Sequence, residues 1–221
     1  MRSVADVVIY GGGMLGHQVA HILLNFFSDR FRLVGFVDDV KPAGSEVIEG
    51  IETVGSLEQV IALEKCSPEN CLMLFAIGYT DMRSRRTAFE KAVSVGYKME
   101  GLVHPGASVD PSAKLGSGAI VLAGAVVDQH VAVGDICYLH NGAIVGENTV
   151  LGTNNYLSAG TTMGGSIIVG DDNFFGINAT IVNDISIGSN CFINAGSLVY
   201  KALADDMRIV EFREQREVRN T

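Results

Sequence analysis

The sequence predicts two folds in series: an α/β domain built on a small parallel sheet, then an all-β parallel helix of hexapeptide coils. Three observations carry this. Residues 1–101 alternate short apolar runs with helix-like patterns, a glycine-rich turn follows the first of those runs, and residues 102–200 lose the helical period and repeat every six positions. The last twenty-one residues, 201–221, fit neither pattern and are expected to cap the second fold or pack on a neighbour.

The whole chain sets the limits within which each element is read. Its 221 residues are 48% hydrophobic and 19% charged, the balance of a folded globular protein. A net charge of −9 without a cluster of lysine and arginine removes the electrostatic term that drives binding to phosphate backbones, so no nucleic acid partner is expected. The N-terminus MRSVADVVIYGGG fails the tests for a signal peptide and for a membrane span, and a cytoplasmic protein without a membrane partner is the expectation. Cys66, Cys71, Cys137 and Cys191 show neither CxxC pairing nor histidines at metal-ligand spacing. Reduced, buried thiols are expected, and no metal.

In the first part the runs VVIY, RLVGFVDD and LMLFAIG read as parallel strands, and HQVAHILLNFF, SLEQVIALE and RRTAFEKAVSVGY as the helices between and after them. Directly after VVIY stands GGGMLG, in which Gly11, Gly13 and Gly16 satisfy G-x-G-x-x-G at the start of a helix. There the backbone N–H groups and helix dipole can hold a phosphate or pyrophosphate; alternatively, the glycines only let the strand turn closely into the helix. About twenty residues on, Asp38 and Asp39 occupy the place from which a carboxylate reaches a ribose hydroxyl. A nucleotide-bearing ligand fits, although roughly one hundred residues supply only the first half of a dinucleotide fold. Arg83, after the third strand, is a candidate phosphate contact, while Arg85 and Arg86 read equally as a solvated helix face.

From Val109 to Val199 a bulky apolar residue recurs every six positions without an insertion, and two residues before each the side chain is nearly always small. One large and one small inward residue per six is the pattern of a hexapeptide β-helix, with three hexapeptides to a triangular coil. Residues eighteen apart then stack, which places Cys137, Asn155, Asn173 and Cys191 in one internal column with the asparagines as a hydrogen-bonded ladder. Glycine often follows the bulky position, as at Gly116, Gly134, Gly146, Gly152, Gly164, Gly170, Gly176 and Gly188, where corners with positive φ are expected.

Together YGGG, VDD, AIGYTDMR, LVHPGA and the long run IIVGDDNFFGINATIVNDISIGSNCFINAGSLVYK make the chain resemble the nucleotide-sugar acyltransferases of the left-handed β-helix (hexapeptide repeat) superfamily. Those that N-acetylate UDP- or GDP-linked amino sugars are nearest, and the sialic acid O-acetyltransferases share the plan. The resemblance implies a homotrimer with acetyl-CoA in the groove between neighbouring β-helices, and a nucleotide-linked amino sugar reaching up to the N-terminal domain. On it, Gly165, Ile177 and Ala195 match the backbone that binds the thioester and lines the CoA. Lys201 suits the CoA phosphates, and Asp38, Asp39 and Arg83 fall where the nucleotide sugar is held.

The chain departs from that family at the position of its usual catalytic histidine, where the hexapeptide IVGENT carries Glu147. A second histidine frequent in the next coil is replaced in NNYLSAG, beside Tyr156. Of the five histidines, His17 and His21 fall on the first helix (the latter on its apolar face), His104 in the VHP junction and His130 at an earlier corner. His140 remains, at a turn where relatives carry a polar group. Acyl transfer needs a base for the acceptor's proton and donors for the oxyanion. His140 and Glu147 are the rival bases, and Glu147 would need a raised pKa to serve near neutrality. Three functions stay open: an N-acetyltransferase with a replaced base (or, less well served, an O-acetyltransferase), a catalytically silent trimer that binds nucleotide sugar, and a nicotinamide oxidoreductase, for which the first domain is half-sized. The usual glycine-valine-proline-alanine ending of the family is replaced by RIVEFREQ, which affects the adenine end of a CoA site.

Overall fold

A computed structural model describes residues 4–210. The first part is a five-stranded sheet of β1 (Ala5–Tyr10), β2 (Phe31–Val37), β3 (Glu46–Ile48), β4 (Ile51–Gly55) and β5 (Leu72–Phe75), in the order β3-β4-β2-β1-β5. All pairs are parallel except the β3–β4 hairpin, so the sheet is mixed at one edge. The stretch EVIEGIETVG therefore forms two strands that the apolar pattern did not reveal, because Glu46 and Glu52 stand exposed among their few apolar residues. Helix α1 (Met14–Phe26) buries Gly16, Val19, Ala20 and Leu23, the i, i+3, i+4, i+7 stripe its sequence predicts. His21 does not lie on that stripe; it is exposed and its carbonyl accepts from Asn25. The run SLEQVIALE yields only a capped single turn, α2 (Leu57–Val60), followed by a 3-10 turn at Glu64–Cys66. Helix α3 (Met82–Ser94) is capped by Asp81, whose carboxylate accepts from Arg83 and Ser84 N–H.

From Leu102 the chain winds in eighteen-residue coils whose two-residue strands stack in three parallel sheets. The inward residues form one apolar core of Val121, Val127, Val133, Leu139, Val145 and their eighteen-residue repeats. The predicted ladder is present: Asn155 Oδ1 accepts from Asn173 N–H at 3.1 Å and Asn173 Oδ1 from Cys191 N–H at 2.6 Å. All four cysteines are free and buried. The glycines after the bulky positions do not have positive φ. That conformation falls two residues later, on Gly142, Asn148, Asn154, Gly160, Asp172 and Asn178 among others. The earlier glycines serve close stacking instead: a Cβ on Gly116 would meet the Gly134 backbone at 2.5 Å, and one on Gly146 the Gly164 backbone at 2.7 Å. Asn and Asp suit the left-handed corners because they tolerate αL.

Coiling does not stop at residue 200. Leu203 bridges Ile187, and Arg208–Ile209 pairs with Phe192–Ile193 as a further rung. The first ten residues of the expected cap thus continue the helix, while 211–221 lie outside the described residues.

The two parts share their packing. Leu102, Ile120, Leu122, Tyr138 and Tyr156, on the outer side of one β-helix face, complete the apolar cluster under α1. At the edge beneath α3 the buried Arg85 guanidinium donates to Ile77 O and Ile136 O, each at 2.9 Å, and to Asn154 Oδ1. Beside it Arg86 pairs with Asp171 and Asp172. The expected solvated face of Arg85 and Arg86 is therefore the joint between the domains.

Candidate active site

Strand β1 lies between β2 and β5, so the turns after these three strands open at one sheet edge where the strand order reverses. Those turns and α1 enclose a cavity of about 620 Å³ lined by Gly11, Gly13, Asp38, Asp39, Gln18 and Tyr79, with His140 and Tyr156 of the β-helix as its floor. A second cavity of about 360 Å³ runs down the β-helix past Phe174, Ile177, Asn194 and Ala195. The two share Tyr79, His140 and Tyr156, so they form one continuous cleft across both domains.

Each glycine of the turn has its own reason. Gly11 has φ +115°, and a Cβ there would meet Ala76 O at 2.5 Å. A Cβ on Gly16 would collide with the Gly11 carbonyl oxygen. Gly13 is the α1 N-cap, has no side-chain cap, and faces open space, with nothing within 4 Å of where its Cβ would be. The first N–H groups of α1 therefore open on the cavity beside the positive end of the helix dipole.

Asp38 and Asp39 line the cavity but also hold its walls. Asp38 accepts from Gly12 N–H at 2.8 Å and from Val40 and Lys41 N–H at 2.9 Å. Burial pushes its carboxyl up, and those N–H donors with the Lys41 charge outweigh it, so the net shift is down. Asp39 accepts from Leu57 N–H at 2.9 Å and from the Tyr10 hydroxyl. Burial first, then that bond, pushes the Tyr10 phenol up.

Arg83 does not line either cavity. Helix α3 turns its side chain toward the β-helix, where it pairs with Asp206 at 3.1 Å. Its expected place at the sheet edge is taken by Tyr79 and Thr80.

The remaining residues separate onto two edges of the triangular β-helix. His140, Ile177 and Ala195 stand at one edge, on the cleft. Glu147, Gly165 and Lys201 stand eighteen residues or multiples apart at the next edge, a whole face away. There Glu147 lies over Gly165 closely enough that a Cβ on the glycine would collide with its carboxylate. Lys201 is exposed, with Nζ 5.5 Å from the Tyr200 ring centre. A single chain therefore does not bring His140 and Glu147 together.

Sequence reasoning marked Tyr156 beside the second histidine's place but did not single out Gln18, Tyr79 or the column Tyr138, Tyr156, Phe174 and Phe192 as a unit. These four rings stack along the cleft face at 5.1, 5.8 and 5.0 Å between centres. Tyr79 adds a ring from the other domain at 4.6 and 4.7 Å, and Arg208 closes the row 4.4 Å from Phe192. Their eighteen-residue spacing was the available signal. Burial raises the Tyr156 phenol to about 12, so it is a neutral donor at the junction. Among the described residues no cluster of three or more His, Cys, Asp and Glu could hold a metal, and no helix is long and apolar enough to cross a membrane.

Residues 166–201 match the family model for bacterial transferase hexapeptide (six repeats). No curated relative matches the chain. Among solved structures, the acetyltransferase domain of PglB from Neisseria gonorrhoeae, in complex with acetyl coenzyme A, is 26% identical with a TM-score of 0.83, covering 93% of this chain and 96% of that one. A mutant perosamine N-acetyltransferase from Caulobacter crescentus, in complex with CoA and GDP-perosamine, is 28% identical with a TM-score of 0.83 and 93% coverage of both chains. WeeI from Acinetobacter baumannii, 16% identical at a TM-score of 0.80 over 94% of this chain and 97% of its own, shares the fold. The chain thus carries a bacterial transferase hexapeptide segment and, over nearly all its length, is similar to solved acetyltransferases of the left-handed β-helix superfamily.

Proposed function

We propose that the chain transfers an acetyl group from acetyl-CoA to the amine of a nucleotide-linked amino sugar, and that it works as a homotrimer. The observation that carries the reading is the continuous cleft. Its upper part offers open N–H groups and a helix N-terminus for a diphosphate, and its lower part an apolar channel that suits a thioester arm, with His140 and Tyr156 where they meet. The two similar structures with bound ligands hold acetyl coenzyme A in one case, and CoA with GDP-perosamine in the other.

In the reaction the amine nitrogen attacks the thioester carbonyl carbon, the new C–N bond forms, and the oxygen takes negative charge. The nitrogen loses a proton to a base, the C–S bond breaks, and the sulfur leaves as the CoA thiol after protonation. Asp38 and Asp39 keep spare lone pairs for ribose or sugar hydroxyls, and Gly165, Ile177, Ala195 and Lys201 are assigned to the CoA.

Two edges of one β-helix can serve the same ligand only if the second comes from another copy. Outward aliphatics flank the Glu147 edge on both sides: Ile144, Val150 and Ile168 are 39%, 44% and 64% exposed. Burying such a stripe against a neighbour favours assembly. It would bring Glu147 of one copy to the cleft of the next.

The test is release of CoA thiol from acetyl-CoA in the presence of a panel of UDP- and GDP-linked amino sugars, with the N-acetylated product identified by mass. Sugar hydroxyl acceptors form a second arm. Glu147 at the expected histidine corner favours one rival, a silent trimer that binds nucleotide sugar. Nucleotide-sugar binding without CoA release across the panel would establish that rival.

A further inference from the structure

We propose that His140 is a fixed hydrogen-bond donor to the thioester carbonyl oxygen, and is not the base that takes the amine's proton. The choice of oxygen rests on the acetyl-transfer reading; the direction of the imidazole's hydrogen bonds does not. The Asn141 backbone N–H donates to His140 Nδ1 at 2.8 Å. An amide N–H can only donate, so Nδ1 presents its lone pair and the proton of the neutral ring sits on Nε2. That ring has no lone pair left for a base: one is engaged by Asn141, and the other nitrogen already carries hydrogen. What it offers the cleft is the Nε2–H, which has no hydrogen-bond partner among the described residues.

The orientation is held from both domains. Asn141 Nδ2 donates to Ala123 O at 3.3 Å, while Gln18 of α1 reaches Asn141 Oδ1 at 3.4 Å and accepts from the Tyr138 hydroxyl at 3.0 Å. The Tyr138 ring stands edge-on to the imidazole at 6.0 Å between centres. Burial lowers the imidazole pKa, so the ring stays neutral at physiological pH. The titratable groups around it are Tyr138, Tyr156 and Tyr79, with Asp38 and Asp39 lining the same cavity. His104 shows the same local bond, Gly106 N–H to Nδ1 at 2.9 Å, but packs its ring on Phe26 at 4.5 Å and lines neither cavity. The bond is thus a device of the turn, and its position on the cleft gives His140 a ligand to meet.

Of the groups reaching the junction, the thioester oxygen is the one that gains charge as the amine attacks, and a preoriented neutral N–H binds it more tightly in the transition state than before. No proton leaves the ring. The amine's proton goes to a different group, and Glu147 of a neighbouring copy, the other base the sequence offers, is assigned to it.

Two measurements decide this. His140→Ala is expected to lower kcat by roughly 10²–10³, the usual loss of one oxyanion donor, with KM for both substrates little changed. His140→Asn, whose amide can donate but not act as a base, is expected to recover at least about tenfold of that loss, with the acid limb of the pH–kcat/KM profile unmoved in both variants. Equal damage in Asn and Ala with loss of the acid limb overturns the proposal. The second measurement is nitrogen-15 NMR of histidine-labelled free protein near neutral pH, assigned by difference with His140→Asn. Nε2 protonated and Nδ1 bare is expected, and the reverse overturns the proposal without any substrate. If the unmutated protein releases no CoA with any sugar, the acetyl-transfer reading and the oxygen assigned to His140 fall together, while the tautomer result stands by itself.

Discussion

Two alanine substitutions in the glycine turn put the same methyl group a few residues apart and have opposite expected consequences. At Gly13 the backbone is extended, with φ −84° and ψ −167°, which alanine adopts without strain, and nothing lies within 4 Å of the new Cβ. Alanine is a poorer helix N-cap than glycine, a loss of about 0.5–1 kcal/mol, and it restricts the unfolded chain, a gain of about 0.4–1 kcal/mol. The two nearly cancel, so Gly13→Ala should unfold in urea within about 0.5 kcal/mol of the unmutated protein. Its methyl, however, enters the space where the first N–H groups of α1 open on the cavity. Keeping a diphosphate from one such N–H forfeits a charge-assisted bond of about 1.5–3 kcal/mol, which raises Kd for UDP or GDP by about ten- to a hundredfold in calorimetry. Gly16→Ala meets the Gly11 carbonyl, a backbone atom that cannot rotate aside, and should cost about 1–3 kcal/mol of stability or more. A folded Gly13→Ala protein that binds the nucleotide as tightly as before would refute the placement of the phosphates at this helix.

Three further outcomes follow from other parts of the molecule. Arg85→Met strips the donor from Ile77 O, Ile136 O and Asn154 Oδ1 in the buried joint, and should destabilise by about 3–5 kcal/mol in chemical denaturation; a loss under about 1 kcal/mol would contradict the joint's role. Asp38 has a folded-state pKa below its ordinary 3.8, so its stabilising contribution is complete above that pH and is lost as the pH falls through the depressed value. Asp38→Asn should then lower stability at neutral pH and flatten the fall in stability below about pH 3.8, with a parallel acid profile for both proteins counting against it. Ile168→Glu places a charge in the outward stripe beside the Glu147 edge, and should shift the light-scattering mass from three times the 23.5 kDa chain toward one, with loss of acetyl transfer; an unchanged mass would move the subunit contact to another face.

The coils were legible because their code is local and repeated: one bulky and one small inward residue per six fixes the core, and eighteen-residue stacking follows from the triangular turn. The same counting misassigned the glycines, since positive φ and close backbone stacking both demand glycine and a sequence does not say which constraint acts where. In the first domain the apolar pattern hid the hairpin at 46–55, whose short strands alternate exposed glutamates with few apolar residues. Arg83, Arg85 and Arg86 were misplaced for one reason: whether a helix face meets water or another domain depends on docking, which no local pattern encodes. Gly11, Gly13, Asp38 and Asp39 line one cavity, because strand, turn and helix together fix their position within one βαβ unit.

His140 and Glu147 show where local reading ends. Seven residues apart, they read as a single polar patch, yet the coil carries them to different edges of the β-helix. Assigning both to one reaction therefore requires a second chain, and the two then need different roles. His140 has its Nδ1 lone pair engaged by its own turn and so presents only a donor. Glu147 is a carboxylate with lone pairs to spare and presents only an acceptor until it has taken a proton. Acyl transfer to an amine needs one group of each kind, a donor at the carbonyl oxygen and an acceptor at the attacking nitrogen. Replacement of a base histidine by glutamate is then compatible with catalysis when the oxyanion donor stands on one subunit and the proton acceptor on the next.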